Sequence, residues 1–146
     1  MKRLMLMMVL VLSVMMMASA RGRVTRDTSV LPAEAREFIK TQFPSTSISY
    51  LKVDKGMFNG NSYEVRLADG TELDFNSKGE WTEIDCEPRA VPSTVIPETI
   101  SQYMKQHYAR QRIVKIERSR KGYELKLEND LEVDFDTYGN FLHLSR

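Results

Sequence analysis

Apolar and polar residues alternate along residues 63–67, where Tyr63, Val65 and Leu67 interleave with Glu64 and Arg66. After Ala68-Asp69-Gly70 the alternation resumes, with Leu73 and Phe75 apolar among Glu72, Asp74 and Asn76. Period two with one apolar face predicts two half-buried strands. Residues that oppose each other across a hairpin share a face, so parity selects the turn. A two-residue loop would set Leu67 against Glu72. A three-residue loop sets Arg66 opposite Glu72, Val65 opposite Leu73 and Tyr63 opposite Phe75, with Gly70 in the left-handed position of a G1-bulge turn. Residues 123–135 obey the same rule: Lys126 with Glu132, Leu125 with Val133, Tyr123 with Phe135, and Asp130 in the left-handed position, which Asp tolerates better than most residues. The next turns, Ser77-Lys78-Gly79 and Thr137-Tyr138-Gly139, set Phe75 against Trp81 and Phe135 against Phe141, and both aromatic pairs are expected in the core.

The two stretches share the pattern Y-E-[VL]-[RK]-L-x-[DN]-x-x-E-[LV]-D-F-[DN]-x-x-G-x-[WF], sixty positions apart. Such a self-match predicts an internal repeat. Upstream of each stretch lies a helical spacing: Leu31, Ala35, Phe38, Ile39 and Phe43, with Pro32 in the first turn and Pro44 at the stop, then Ile96, Ile100, Tyr103, Met104 and Tyr108, with Pro97 at the start. One further strand follows each helix. Ser49, Leu51 and Val53 face inward in the first and Val114 and Ile116 in the second. The expected fold is therefore α+β, a tandem repeat of a helix plus a four-stranded antiparallel meander, with the helices packed on one face of the sheet. Residues 31–85 form the first unit and 96–146 the second, joined by a linker at 86–95 that holds Pro88 and Pro92. Units of this size are near the lower limit for an independent core, so the halves should lean on each other.

Residues 1–20 read differently. Lys2 and Arg3 precede an apolar run from Leu4 to Ala18, ending in Ala18-Ser19-Ala20, which is the layout of a cleaved secretory signal. Residues 21–30 read as a flexible leader. Without the signal, 126 residues remain, with nineteen basic and twenty acidic side chains and a net charge of −1. That balance argues against a nucleic-acid partner. A periplasmic or secreted location follows, with no stable membrane insertion after cleavage.

Candidate chemistry is sparse. Cys86 is the lone cysteine, and neither His107 nor His143 is spaced to activate it. Asp74-Phe75-Asn76-Ser77-Lys78-Gly79, with Asp85 at the twelfth position, matches a calcium loop in outline. Lys78 stands where a ligand would be, and hairpins rather than helices flank the segment. In the second stretch the twelfth position is Ser145. Zinc spacings, phosphate loops and nucleophile elbows are absent. No catalytic residue, metal or cofactor is therefore expected.

The polar side of the strands stands out more. Parity puts Glu64 opposite Asp74 and Glu124 opposite Asp134, and like charges so placed are mildly destabilising. Tyr50, Lys52, Arg66, Glu72 and Asp74 share this face in the first unit, and Lys115, Lys126, Glu132 and Asp134 in the second. Antiparallel sheets commonly leave one face to solvent, so these nine residues form the candidate binding surface. Met57 and Phe58, in the loop Gly56–Gly60, form a weaker candidate.

A signal sequence followed by two copies of Y-E-V-x-L…E-L-D-F-x-x-x-G-x-W resembles the PepSY-like, beta-lactamase-inhibitor-protein-like family of exported bacterial proteins. The resemblance spans Leu31 to Leu144. It implies an α+β fold whose sheets join into one curved surface, and no catalytic residues. In the inhibitors that lent the family its name, the sheet grips a target enzyme. The expected function is a non-enzymatic binding module for a protein or peptide of the cell envelope, acting through the sheet face, with inhibition of the partner as one form of that binding. The alternatives are a small-ligand or envelope-stress accessory protein and, third, an enzyme of unrecognised type.

Overall fold

The computed structural model describes residues 22–146, so the expected signal sequence lies outside the described residues. Nine strands run in the order β1 Arg23–Thr25, β2 Ile48–Lys55, β3 Asn61–Leu67, β4 Glu72–Phe75, β5 Trp81–Asp85, β6 Ile113–Ser119, β7 Gly122–Leu127, β8 Glu132–Phe135 and β9 Phe141–Ser145. Helix α1 (Ala33–Gln42) lies between β1 and β2, and α2 (Glu98–His107) between β5 and β6.

This corrects the expected architecture. The molecule is not a tandem of helix-plus-four-strand units but mostly one antiparallel sheet of nine strands, laid side by side in chain order, with two α-helices among the described residues. Two pairings account for the difference. Strand β5 bonds to β6 through Glu83↔Glu117, Ile84↔Ile116 and Asp85↔Lys115, so neither half keeps an edge at the junction. Residues 23–25, inside the segment expected to be a flexible leader, add β1 along β2, with Val24 opposite Lys52.

The hairpin registers agree with parity. Strands β3 and β4 pair Tyr63↔Phe75, Val65↔Leu73 and Arg66↔Glu72; β7 and β8 pair Tyr123↔Phe135, Leu125↔Val133 and Lys126↔Glu132. Gly70 has φ 92° and Asp130 φ 64° at the turns. Each helix starts after a proline in extended conformation, Pro32 or Pro97, whose missing N–H is no loss there. Glu34 and Glu98 in the first turns, and Lys40 and Lys105 in the last, suit the helix dipoles.

Both helices cover the same face. The register carries one apolar row across the sheet from Leu51 through Val65, Leu73, Ile84, Ile116, Leu125 and Val133 to Leu144. The first seven are 0% exposed, against 44% for Leu144. Ala35 and Ile39 of α1 and Ile100 and Met104 of α2 are buried against this layer. A second row is aromatic. Phe38 meets Phe75 edge-on at 5.8 Å, and Tyr103 meets Phe135 edge-on at 5.4 Å and stacks on Phe141 at 5.2 Å. Arg118 falls within this row, its guanidinium 4.3 Å above the Trp81 ring and its Nε donating to the Trp81 carbonyl at 2.6 Å. Phe141 departs from expectation, being 40% exposed where Trp81 is 8%. Strand β5 has β6 beside it, whereas β9 ends the sheet.

Candidate functional site

The face away from the helices carries two polar rows, built by the same registers. One runs Lys52, Glu64, Asp74, Glu83, Glu117, Glu124, Asp134 and His143, each directly opposite the next. The other runs Tyr50, Arg66, Glu72, Asp85, Lys115, Lys126, Glu132 and Ser145. All nine residues expected on this face are in these rows. Six adjacent strands, β3 to β8, each contribute one carboxylate to the first row. Together the rows hold nine carboxylates and four Lys or Arg side chains, a formal excess of five negative charges.

The cations are occupied by specific carboxylates. Lys52 Nζ lies 3.0 Å from Asp54 and 3.6 Å from Glu64. Arg66 pairs with Glu72 and donates to the Gly70 carbonyl at 3.0 Å, which ties it to its own turn. Lys115 reaches Glu83 at 2.9 Å, and Lys126 reaches Glu87 at 3.0 Å and Asp130 at 3.3 Å. His143 Nε2 is 2.9 Å from Asp134 Oδ2, while Asp134 Oδ1 is buried without a hydrogen-bond partner. Asp74, Glu117 and Glu124, in the middle of the acidic row, have no ion-pair partner among the described residues.

The surroundings of Asp74 and Glu124 show in their acidity. Burial, then the neighbouring carboxylates of Glu83 and Glu64, push Asp74 up to about 6. Burial and then Asp134 and Glu132 raise Glu124 as well. Two shallow recesses lie on this face. One is lined by Glu117, Glu124, Asp134, Leu142 and His143 among others, the second by Asp85, Lys115, Lys126 and Glu132 among others. The carboxylates stand one per strand in a line rather than converging. Among the described residues, no three Asp, Glu, His or Cys groups are disposed to hold one metal ion.

Met57 and Phe58 lie elsewhere. They are 89% and 92% exposed at the β2–β3 turn, beyond the Lys55↔Asn61 pair. That last pair is itself three residue steps, about 10 Å, past the acidic row, and the two side chains lie farther out still. The calcium-like segment is a hairpin turn. Asn76 Oδ1 accepts from the backbone N–H of Lys78 and Glu80, and Asp136 Oδ1 from those of Tyr138 and Asn140. Those oxygens are already committed to the turns.

Cys86 is buried at 3% exposure, and burial pushes its thiol up to about 11. The thiol should therefore resist iodoacetamide at pH 7.5 in the folded protein and react once urea unfolds the chain. Equal labelling rates with and without urea would contradict this placement.

Parity alone reached Glu64 against Asp74 and Glu124 against Asp134. It missed Glu83 and Asp85, because a bulge between Asp74 and Phe75 shifts the β4–β5 register by one residue past the expected Phe75↔Trp81 pair, and it missed Glu117 as a member of the row, because that place depends on the β5–β6 pairing. The nearest signal was the alternation of Val114, Lys115, Ile116 and Glu117, which already put Glu117 on the polar side.

The "putative beta-lactamase-inhibitor-like, PepSY-like" family profile matches residues 61–143, which spans β3 to β9 and thus most of both rows. The chain belongs to this family. Three solved structures superpose on it. A "putative periplasmic protein of unknown function" from Bacteroides vulgatus is 59% identical, with a TM-score of 0.82 over 85% of this chain and 98% of its own. A second B. vulgatus "putative periplasmic protein" is 34% identical, with a TM-score of 0.81 over 88% and 99% of the two chains. A "putative calcium-regulated periplasmic protein" from Bacteroides thetaiotaomicron is 34% identical, with a TM-score of 0.76 over 81% and 92%. No curated protein matches the chain in sequence. This PepSY-like protein is periplasmic or secreted, like these neighbours. Among its described residues no helix is long and apolar enough to cross a membrane.

Proposed function

We propose that this PepSY-like protein is a non-enzymatic binding module of the cell envelope, and that its open sheet face engages a protein or peptide segment presenting Lys or Arg side chains. The observation that carries this reading is the acidic row. A face that is merely solvated gains nothing by opposing like charges, which destabilise a sheet. Here carboxylate faces carboxylate across five successive strand pairings, Glu64–Asp74, Asp74–Glu83, Glu83–Glu117, Glu117–Glu124 and Glu124–Asp134. A cationic partner relieves that repulsion on binding, and the relief favours the complex and speeds its formation.

Other features fit the same reading. Cys86 is shut away as a thiol, and His107 stacks on Tyr103 at 4.3 Å, on the helix side of the sheet. The layer between sheet and helices is filled by apolar side chains, which gives a small-ligand reading no support. The B. thetaiotaomicron relative is described as calcium-regulated, whereas the carboxylates of this face stand in a line rather than converging on one cation.

The test is capture from envelope extract by immobilised mature protein, compared with a triple Asp74→Asn, Glu117→Gln, Glu124→Gln variant. Capture should weaken about tenfold or more in the triple variant, and should fall with added salt in the wild type. Tyr50→Ala should change stability by no more than about 1 kcal/mol while weakening capture at the row's end. Equal capture of the same partners by wild type and triple variant would end the proposal.

A further inference from the structure

Among the described residues nothing lies beside β9, which ends the sheet, and all five of its residues are exposed. The apolar row that is fully buried in seven strands stops there, with Leu144 44% exposed and Phe141 40%. The strand Phe-Leu-His-Leu-Ser contains no Lys, Asp, Glu or Pro, the residues that usually guard an open edge against pairing. The opposite edge is different: β1 has only three residues and Arg23 in the strand. Beside β9, on the polar side, lies a recess whose charged lining is three carboxylates, Glu117, Glu124 and Asp134, against Lys121, with His143 at its edge. Asp134 is directly opposite His143, so the acidic row reaches to within one strand of the edge.

We propose that β9 is a docking edge for an extended peptide strand in which Lys or Arg alternates with apolar residues. This rests on the reading that the face binds a cationic segment, and it adds how that segment is held. An added strand would pair its backbone with the free edge of β9. Its side chains would then alternate between faces. Those on the helix side lie against Leu144 and Phe141 and complete the interrupted apolar row. Those on the other side point over His143 toward Asp134 and Glu132. The charge of the recess selects Lys or Arg on that side, and the exposed leucine and phenylalanine select apolar residues on the other. A neutral or acidic strand satisfies only half of this surface.

The probe is an acetylated peptide of alternating lysine and valine, about seven residues long to span β9. Its affinity for the mature protein is measured by calorimetry against two controls. One is the same peptide N-methylated on alternate residues, with each of the two sets tested, which keeps the charge and removes backbone donors. The second is the protein with Leu144→Lys, which places a charge on the edge at an exposed position. One N-methylated set should bind about tenfold more weakly or worse, as expected from losing a few backbone hydrogen bonds. The Leu144→Lys variant should do the same, because an apolar contact is lost and a like charge faces the lysine-containing peptide. If both N-methylated peptides and the variant bind like the unmodified pair, while the Asp74, Glu117 and Glu124 triple variant still loses affinity, the edge proposal is wrong and the charged-face reading survives. If the triple variant also binds normally, both fail. A concentration-dependent dimer that Leu144→Lys dissolves, with no peptide binding, would assign the edge to a second copy and overturn the proposal.

Discussion

Gly122→Ala is expected to destabilise the protein by about 3 kcal/mol or more, a large fraction of the stability of a domain this size. Gly122 opens β7 with φ 135°, a region essentially closed to residues with a side chain. A Cβ there would lie 2.0 Å from the Phe135 carbonyl oxygen and 2.7 Å from the Asp136 backbone carbon. Neither neighbour is the movable end of a side chain. Relief requires β8 to shift away from β7, which would disturb the Tyr123↔Phe135 pair and the contact of Phe135 with Tyr103. Urea unfolding should show a lower midpoint, and an unchanged midpoint would mean that the β7 start is far more pliable than this packing implies.

Asp74→Asn should act in the other direction. An aspartate in the unfolded chain titrates near 3.8, whereas burial and its carboxylate neighbours push Asp74 up to about 6. The folded protein therefore binds this proton more tightly than the unfolded chain does. Stability from this group is greatest at low pH, falls as pH rises from about 4 to about 6, and above that carries the full cost. For a half-buried group that cost is about 1–2 kcal/mol after allowance for solvent screening. Asn removes it, so the variant should be more stable by about that amount at pH 7 and nearly unchanged at pH 4. Urea titrations at the two pH values decide the matter; a gain that is larger at pH 4 would reverse the assigned cause. A residue retained at a cost to stability is what a binding surface, rather than a structural one, would show.

How much of this was legible depended on distance along the chain. The register of Tyr63 with Phe75, and of Tyr123 with Phe135, followed from period and turn length because a three-residue turn fixes parity. No comparable constraint crosses residues 86–112, so the Ile84↔Ile116 pairing that joins the sheet could not be read, and two meanders were expected where one sheet exists. Arg23–Thr25 was too short and too basic to signal a strand. The nine face residues were readable by alternation, but their union into two continuous rows needed β5 beside β6. Leu144 and Phe141 looked like Ile84 and Trp81 in the pattern. Only the position of β9 at the end of the sheet separates an exposed pair from a buried one.

Strand order that repeats chain order also bears on how the protein comes to be folded. Six of the eight strand pairings close through tight turns, whereas β1–β2 and β5–β6 must each close over a connection that contains a helix. Contacts are therefore mostly local in sequence, the arrangement associated with rapid folding. The entropy of closing a long loop falls on these two seams, β1–β2 and β5–β6, each held by three residue pairs. A chain delivered to its compartment amino end first can zip β2 to β5 before β6 arrives. The central seam, where Glu83 meets Glu117, then becomes the last step of assembly and the one that brings the acidic row into being.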